Sequence, residues 1–157
     1  TGRAAAAWSA SRPALGQRPI AGALPGAGPL PRSAGAALTF SDPGGLGADF
    51  SGEVRACEPP RLLEFSWGTD IIRLEVEPAG DGCVLTLLNT LEALGTGARN
   101  AAGWHECLDL LECLLAGEAP GFRPGQRWAQ VHPRYVQSLG PGAAEIGPPP
   151  GFEPTAR

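Results

Sequence analysis

Apolar residues recur at spacings of three and four through Ala98–Gly117, at Ala101, Trp104, Leu108, Leu111 and Leu115, with Cys107 and Leu114 widening the stripe. Glu106, Asp109 and Cys113 fall on the other side, so the pattern predicts one amphipathic helix over 98–116. Thr96 is placed to cap its start and Gly117 to end it. A helix of about 20 residues rising about 1.5 Å per residue spans about 30 Å, enough to cross a small sheet.

Before the helix the period changes from 3.6 to 2. Short strands are expected at Ala36–Ser41, Phe50–Cys57, Leu62–Trp67, Ile71–Glu77 and Cys83–Leu91. Leu63, Phe65 and Trp67 alternate with Glu64 and Ser66. Ile72, Leu74 and Val76 alternate with Arg73, Glu75 and Glu77, and Leu85, Leu87, Asn89 and Leu91 share one face. Val54 and Ala56 are placed together on one face of their strand. The breaks between strands are Asp42-Pro43-Gly44-Gly45, Glu58-Pro59-Pro60-Arg61, Gly68-Thr69-Asp70 and Pro78-Ala79-Gly80-Asp81-Gly82, all of turn chemistry. Strands joined this tightly pair antiparallel, because a parallel pair needs a long crossover. Sheet and helix each have one apolar side to bury, which predicts an α+β fold with the helix against the sheet.

The flanks read differently. Residues 1–35 are rich in Ala, Gly, Pro and Arg, have no acid before Asp42 and hold no sustained period, so they are expected to be a low-complexity, disordered or degenerate arm. Beyond the helix, Trp128, Val131, Tyr135 and Leu139 have helical spacing, although Pro133 is expected to start or interrupt any helix there. Residues 140–157, rich in Pro and Gly, read as a tail, which leaves 36–139 as the folded domain.

Composition narrows the function. A chain of 157 residues with 43% hydrophobic and 18% charged residues is globular, and a net charge of -4 argues against a nucleic-acid surface. Lys and Met are absent while Gly (23) and Pro (17) are abundant, the mark of a GC-rich genome rather than of selection for Arg. Residue 1 is not Met, so the chain is expected to be a fragment, a processed form or a trimmed one. Cys57, Cys83, Cys107 and Cys113 have no Cys-x-x-Cys spacing, and only His105 and His132 could join them, so no metal site is expected and reduced thiols suggest the cytoplasm. No apolar run approaches the ~18 residues of a membrane span.

Gly52-Glu53-Val54, Glu58-Pro59-Pro60-Arg61-Leu62-Leu63 leading into Phe65-Ser66-Trp67, Glu75-Val76-Glu77-Pro78, Leu85-Thr86-Leu87 and Ala102-Gly103-Trp104-His105-Glu106-Cys107-Leu108-Asp109 together resemble the SRPBCC superfamily. More narrowly they are similar to bacterial proteins like the C-terminal domain of the activator of heat-shock protein 90 ATPase. The resemblance covers about residues 36–139. It implies the helix-grip fold of START-like proteins, a curved antiparallel sheet wrapped around a long C-terminal helix and enclosing a hydrophobic cavity. Two departures stand out. Residues 1–35 lack the opening strand and Trp-bearing short helices of the family, so this part has either diverged or is translated from a shifted frame of GC-rich DNA, which reading the gene in its other frames would settle. Asn89 stands where many relatives place a His, which removes a titratable group from the cavity.

The lining expected for that cavity is Phe65, Trp67, Leu74, Leu87, Asn89, Trp104, His105 and Leu108. Trp67 and Trp104 suit an aromatic wall and suit a plain core equally. His105, near Glu112, invites a base assignment, but no nucleophile or second acid converges on it, so no catalytic residue is assigned. Glu106, Asp109 and Glu112 read as a solvated acidic face. Three functional classes follow: a non-catalytic binder of a lipophilic small molecule or a regulatory relative of one, a co-chaperone-like protein-interaction module, and a cyclase- or hydrolase-type enzyme of the wider superfamily. The first is expected, without a cofactor, and with a lipophile or a chaperone or other protein as the candidate partner.

Overall fold

The computed structural model describes residues 2–7, 33–40 and 49–148. Two compact units divide the chain, Thr1–Glu92 and Ala93–Arg157, and each has its own internal logic.

The first unit is a sheet of β1 (Gly2–Ala7), β2 (Ala37–Phe40), β3 (Phe50–Glu58), β4 (Leu62–Trp67), β5 (Asp70–Ala79) and β6 (Gly82–Leu91). Its spatial order is β1-β6-β5-β4-β3-β2, and every neighbouring pair is antiparallel. The five strands expected from alternation are all present, because each side chain period of 2 puts one apolar row on one face. Phe65 pairs with Ile72 and with Val54, and Leu74 pairs with Leu63 and Leu87, so one face gathers Leu38, Val54, Phe65, Ile72, Leu87 and Leu91, all buried. Ile72 and Val54 are fully closed to solvent, each contributing about 1.5–3 kcal/mol of apolar burial before entropy is counted. The turn expected at Asp42–Gly45 lies outside the described residues.

Two features of the sheet depart from simple alternation. Between Val54 and Ala56 the β3–β4 register shifts, so that Val54 faces Phe65 while Ala56 faces Glu64 and Cys57 faces Leu63. Val54 and Ala56 therefore lie on opposite faces, contrary to the alternation read from sequence, because a bulge consumes one residue. Within the stretch read as low-complexity, Gly2–Ala7 forms the edge strand β1, running antiparallel along β6 from Gly2↔Leu91 to Ala7↔Thr86. An alanine strand carries no alternation to read, and its placement is supplied by the backbone edge of β6. The remainder of that stretch, 8–32, lies outside the described residues.

The second unit is built on α1 (Gly97–Ala116) and α2 (Gln126–Leu139). Gly117 ends α1 in the left-handed conformation (φ 71°), with Gly117 N donating to Leu114 O and Glu118 N to Cys113 O, a Schellman closure. Thr96 occupies the cap position but does not cap. Its hydroxyl donates back to Ala93 O at 2.8 Å, within a short 3-10 turn, Leu94–Thr96, that leads into the helix. Helix α2 runs straight through Pro133 rather than starting or breaking there. Its buried residues Trp128 and Val131 pack on Ala102 of α1, with Ala129 and Tyr135 alongside, and this burial offsets the lost Pro133 N–H. Part of the expected tail returns as well: Pro141–Ala143 makes a 3-10 turn, Ala143 is buried, and Ile146 N donates to Gly95 O at 3.0 Å.

Candidate functional site

On the sheet, register brings Trp67 opposite Asp70 and Ile72 opposite Asn89, all on the apolar face. Asp70 and Asn89 are each only 8% exposed. Asn89 Nδ2 donates to Asp70 Oδ2 at 3.4 Å and to Thr90 O at 3.5 Å, while Asp70 Oδ1 accepts from Glu92 N at 2.9 Å. A buried carboxylate needs such donors to remain in an apolar setting. Around Trp67 the face is aromatic. Phe40 stacks on Phe50 at 4.9 Å, and Trp67 lies 4.5 Å from Phe40 and 4.7 Å from Phe50, with Phe65 5.9 Å from Phe40.

The opposite face of the sheet is polar and charged. Arg73 binds Glu75 at 2.6 Å and Glu64 at 3.0 Å, and Arg55 lies 3.6 Å from Glu64. A depression of about 320 Å³ opens on this face, lined by Glu53, Arg55 and Ser66, with Glu53 N donating to Ser66 Oγ.

On the second unit, α1 and α2 meet along a polar seam. Glu106 Oε1 accepts from Gly125 N and Oε2 from Trp128 N, both at 2.8 Å, and the Trp128 indole N–H donates to Arg99 O at 3.1 Å. Asp109 pairs with Arg127 at 2.5 Å and lies 3.7 Å from His105 Nε2, whose other ring nitrogen is 3.0 Å from the Tyr135 hydroxyl. Burial, assisted by the Asp109 charge, pushes the Tyr135 phenol above its ordinary range. Burial also pulls His132, stacked at 4.3 Å on Trp128, below its ordinary value.

The expected lining residues therefore divide. Phe65, Trp67, Leu74, Leu87 and Asn89 share the apolar sheet face by register, Phe65, Leu87 and Asn89 buried and Trp67 and Leu74 half-buried. Trp104, His105 and Leu108 are on α1, Leu108 buried and the other two half-buried. His105 pairs with Asp109 and Tyr135 rather than with Glu112, because four residues on a helix bring side chains together. The acidic face read as solvated is the face that docks α2, through Glu106 and Asp109. Asp70 follows Gly68-Thr69 and is of a turn-favouring residue type, so type alone does not place it in the strand. Its parity with Ile72, Leu74 and Val76 was the available signal. Among the described residues no group of three His, Cys, Asp or Glu side chains is placed to hold a metal ion, and no helix is long and apolar enough to cross a membrane.

An open antiparallel sheet followed by one long helix is the α+β arrangement of the helix-grip, SRPBCC-type class. The family profile described as "Activator of Hsp90 ATPase homolog 1-like protein" matches residues 28–116, more than half of the chain, and the chain belongs to that family. Among solved structures, a Bordetella parapertussis protein determined by solution NMR is 28% identical, with a TM-score of 0.57 over 71% of this chain and 69% of that one. CalU16 from Micromonospora echinospora, in its crystal structure, is 20% identical with a TM-score of 0.46, over 62% of this chain and 59% of that one. A conserved protein of unknown function from Enterococcus faecalis is 20% identical with a TM-score of 0.49, over 64% and 58%. The matches span about six-tenths of the length of these last two proteins. No curated protein matches the chain.

Proposed function

We propose that this protein is a non-catalytic binder of a lipophilic small molecule, which it takes up on the apolar face of its sheet. The observation that carries the reading is the buried Asp70–Asn89 pair set within an otherwise apolar and aromatic face. Ligand sites for lipophiles combine apolar area, which drives binding, with a few fixed polar groups, which orient it. Phe65, Trp67, Leu74 and Leu87 supply the area and Asn89 the polar group. The four free thiols support a cytoplasmic location.

Native mass spectrometry of gently purified protein tests this. A compact charge distribution with a fixed mass excess that disappears on organic extraction is the expected result. A compact protein that stays empty when offered lipophiles overturns the reading.

A second reading is a protein-interaction module, in keeping with the chaperone activator that names the family. It is favoured by Leu110 and Leu114, four residues apart on α1 and 37% and 55% exposed. Stimulation of a heat-shock protein 90 ATPase by the purified chain, lost in Leu114→Glu, would establish it.

A further inference from the structure

We propose that β1 is a displaceable edge strand and that the edge of β6 beside it is a docking site for an extended segment of a partner protein, one carrying Thr and Val where β1 carries alanine. This holds whether or not the sheet face binds a lipophile. β1 lies at the edge of the described sheet, and β6 is its one strand neighbour among the described residues. The two neighbours of β6 differ in what they bring to it. On the β5 side, Thr90, Leu87 and Leu85 meet Ile71, Leu74 and Val76, whereas on the β1 side Asn89, Leu88, Leu87 and Thr86 meet Ala4, Ala5, Ala6 and Ala7. Alanine is the strongest helix former and is depleted in strands, so the local preference of Ala4–Ala7 opposes the structure in which it is held.

Register is weakly specified for the same reason. Identical residues from Ala4 to Ala7 leave little to distinguish one alignment on β6 from the next. Residues 8–36 join β1 to β2 at the opposite edge, and a tether of this kind acts as an effective concentration on the order of 1 mM. A competing segment has to exceed that advantage. Thr or Val in place of alanine gains up to about fivefold per residue in strand preference, and the gain compounds to on the order of a hundredfold over the alanine run. Cross-strand complementarity sets the pattern, with Val against Leu87 and Leu88 and Thr against Thr86 and Asn89. Main-chain bonds to the β6 edge then give affinity, and those side chains give specificity.

The test uses the full chain and a fluorescein-labelled peptide, Gly-Arg-Thr-Val-Val-Thr, which aligns on β6 as Gly2–Ala7 does. Fluorescence anisotropy is expected to show binding below about 1 mM, the effective concentration of the tethered strand. Ala4→Pro/Ala5→Pro removes two neighbouring amides, of which one points to β6, and should tighten binding at least about tenfold, with circular dichroism reporting that the variant is folded. Hydrogen exchange on the unaltered chain gives the second readout: β6 amides that donate to β1 are expected to exchange at least about tenfold faster than those that donate to β5. Equal protection on the two sides overturns the displaceable strand. No binding of the peptide to either chain overturns the docking site, and equal affinity for both does so too, since the peptide then sits elsewhere. A dimer that forms with rising concentration and slows exchange at the same β6 amides makes the occupant β1 of a second copy and overturns the partner segment. Should the proline variant not fold, the exchange pattern of the unaltered chain, and whether the peptide slows its β1-side amides of β6, decide alone.

Discussion

Glu106 on α1 accepts the backbone N–H of Trp128 in the first turn of α2 at 2.8 Å, and with its other oxygen the N–H of Gly125. The relationship explains how α2 begins without a capping side chain of its own. Gly125 is its N-cap residue, in the left-handed conformation at φ 78°, and offers nothing to the free N–H groups of the first turn. Glu106 supplies the cap from the neighbouring helix and places its negative charge at the positive end of the α2 dipole.

Glu106→Ala is accordingly expected to destabilise the protein by about 1–3 kcal/mol, through two N–H groups left without their acceptor. Urea denaturation followed by circular dichroism measures the change. Glu106→Gln, which retains an acceptor oxygen but loses the charge, should fall between the two. A Glu106→Ala midpoint equal to that of the unaltered chain would show that water caps α2 as well as Glu106 does.

Gly52 pairs with Leu38 on the β2–β3 edge, and a Cβ built there would lie 2.2 Å from Ser66 O and 3.0 Å from a ring carbon of Phe40. The nearer neighbour is backbone and cannot rotate away. Gly52→Ala should therefore force β3 and β4 apart and cost about 1–3 kcal/mol, the usual size of an overpacking penalty. Hydrogen exchange localises the effect: protection is expected to fall at the β3–β4 amides, with α2 unchanged.

These two positions mark where sequence reading succeeds and where it stops. Alternation located β2 to β6, because one side of each strand is buried and a period of 2 survives in the residues themselves. It missed β1, whose alanines have no contrast between faces, and the bulge at Val54–Ala56, which is a matter of pairing between strands. The apolar lining of the sheet face was legible for the same reason as the strands. Asp70 was not, since its residue type favours turns and only its parity argued otherwise. Glu106 looked solvated because its partners, the N–H groups of Gly125 and Trp128, belong to backbone 19 and 22 residues away. Side chain chemistry gives no notice of a bond to distant backbone. His105 has Glu112 two turns along its own helix, whereas its contacts are Asp109, one turn along, and Tyr135 on the other helix.

Pro133 lies inside α2, where it has no N–H to offer the carbonyl of Ala129. The helix persists because its Trp128 and Val131 bury against Ala102 of α1. Pro133→Ala restores the missing donor at an exposed position and is expected to stabilise the protein by about 1–3 kcal/mol, visible as a higher urea midpoint with unchanged slope. A lower midpoint would mean that the ring restrains the unfolded chain more than it costs the helix.

His132 makes the α1–α2 unit sensitive to mild acid. Its ring stacks on Trp128 at 4.3 Å with an interplanar angle of 12°, and burial lowers its pKa from the ordinary imidazole value of 6.5. The unfolded chain, where the ring is solvated, takes up its proton near pH 6.5, whereas the folded chain does so only at a lower pH. Between those two points the unfolded state binds more protons, so stability from this group is complete above pH 6.5 and is lost as pH falls toward the folded value. Arg99, Glu106, Asp109, Glu112, Arg127, Arg134, His105 and Tyr135 are among the other titratable or charged groups of the two helices, and the pH dependence of the whole chain contains their contributions. The comparison that isolates His132 is therefore the change in urea midpoint between pH 7.5 and 5.5 for the unaltered chain and for His132→Phe. The phenyl ring keeps the stack on Trp128 and removes the proton site. The decline in midpoint on acidification should be smaller in His132→Phe; equal declines would show that the ring is as well solvated folded as unfolded and that the acid sensitivity resides in the other groups.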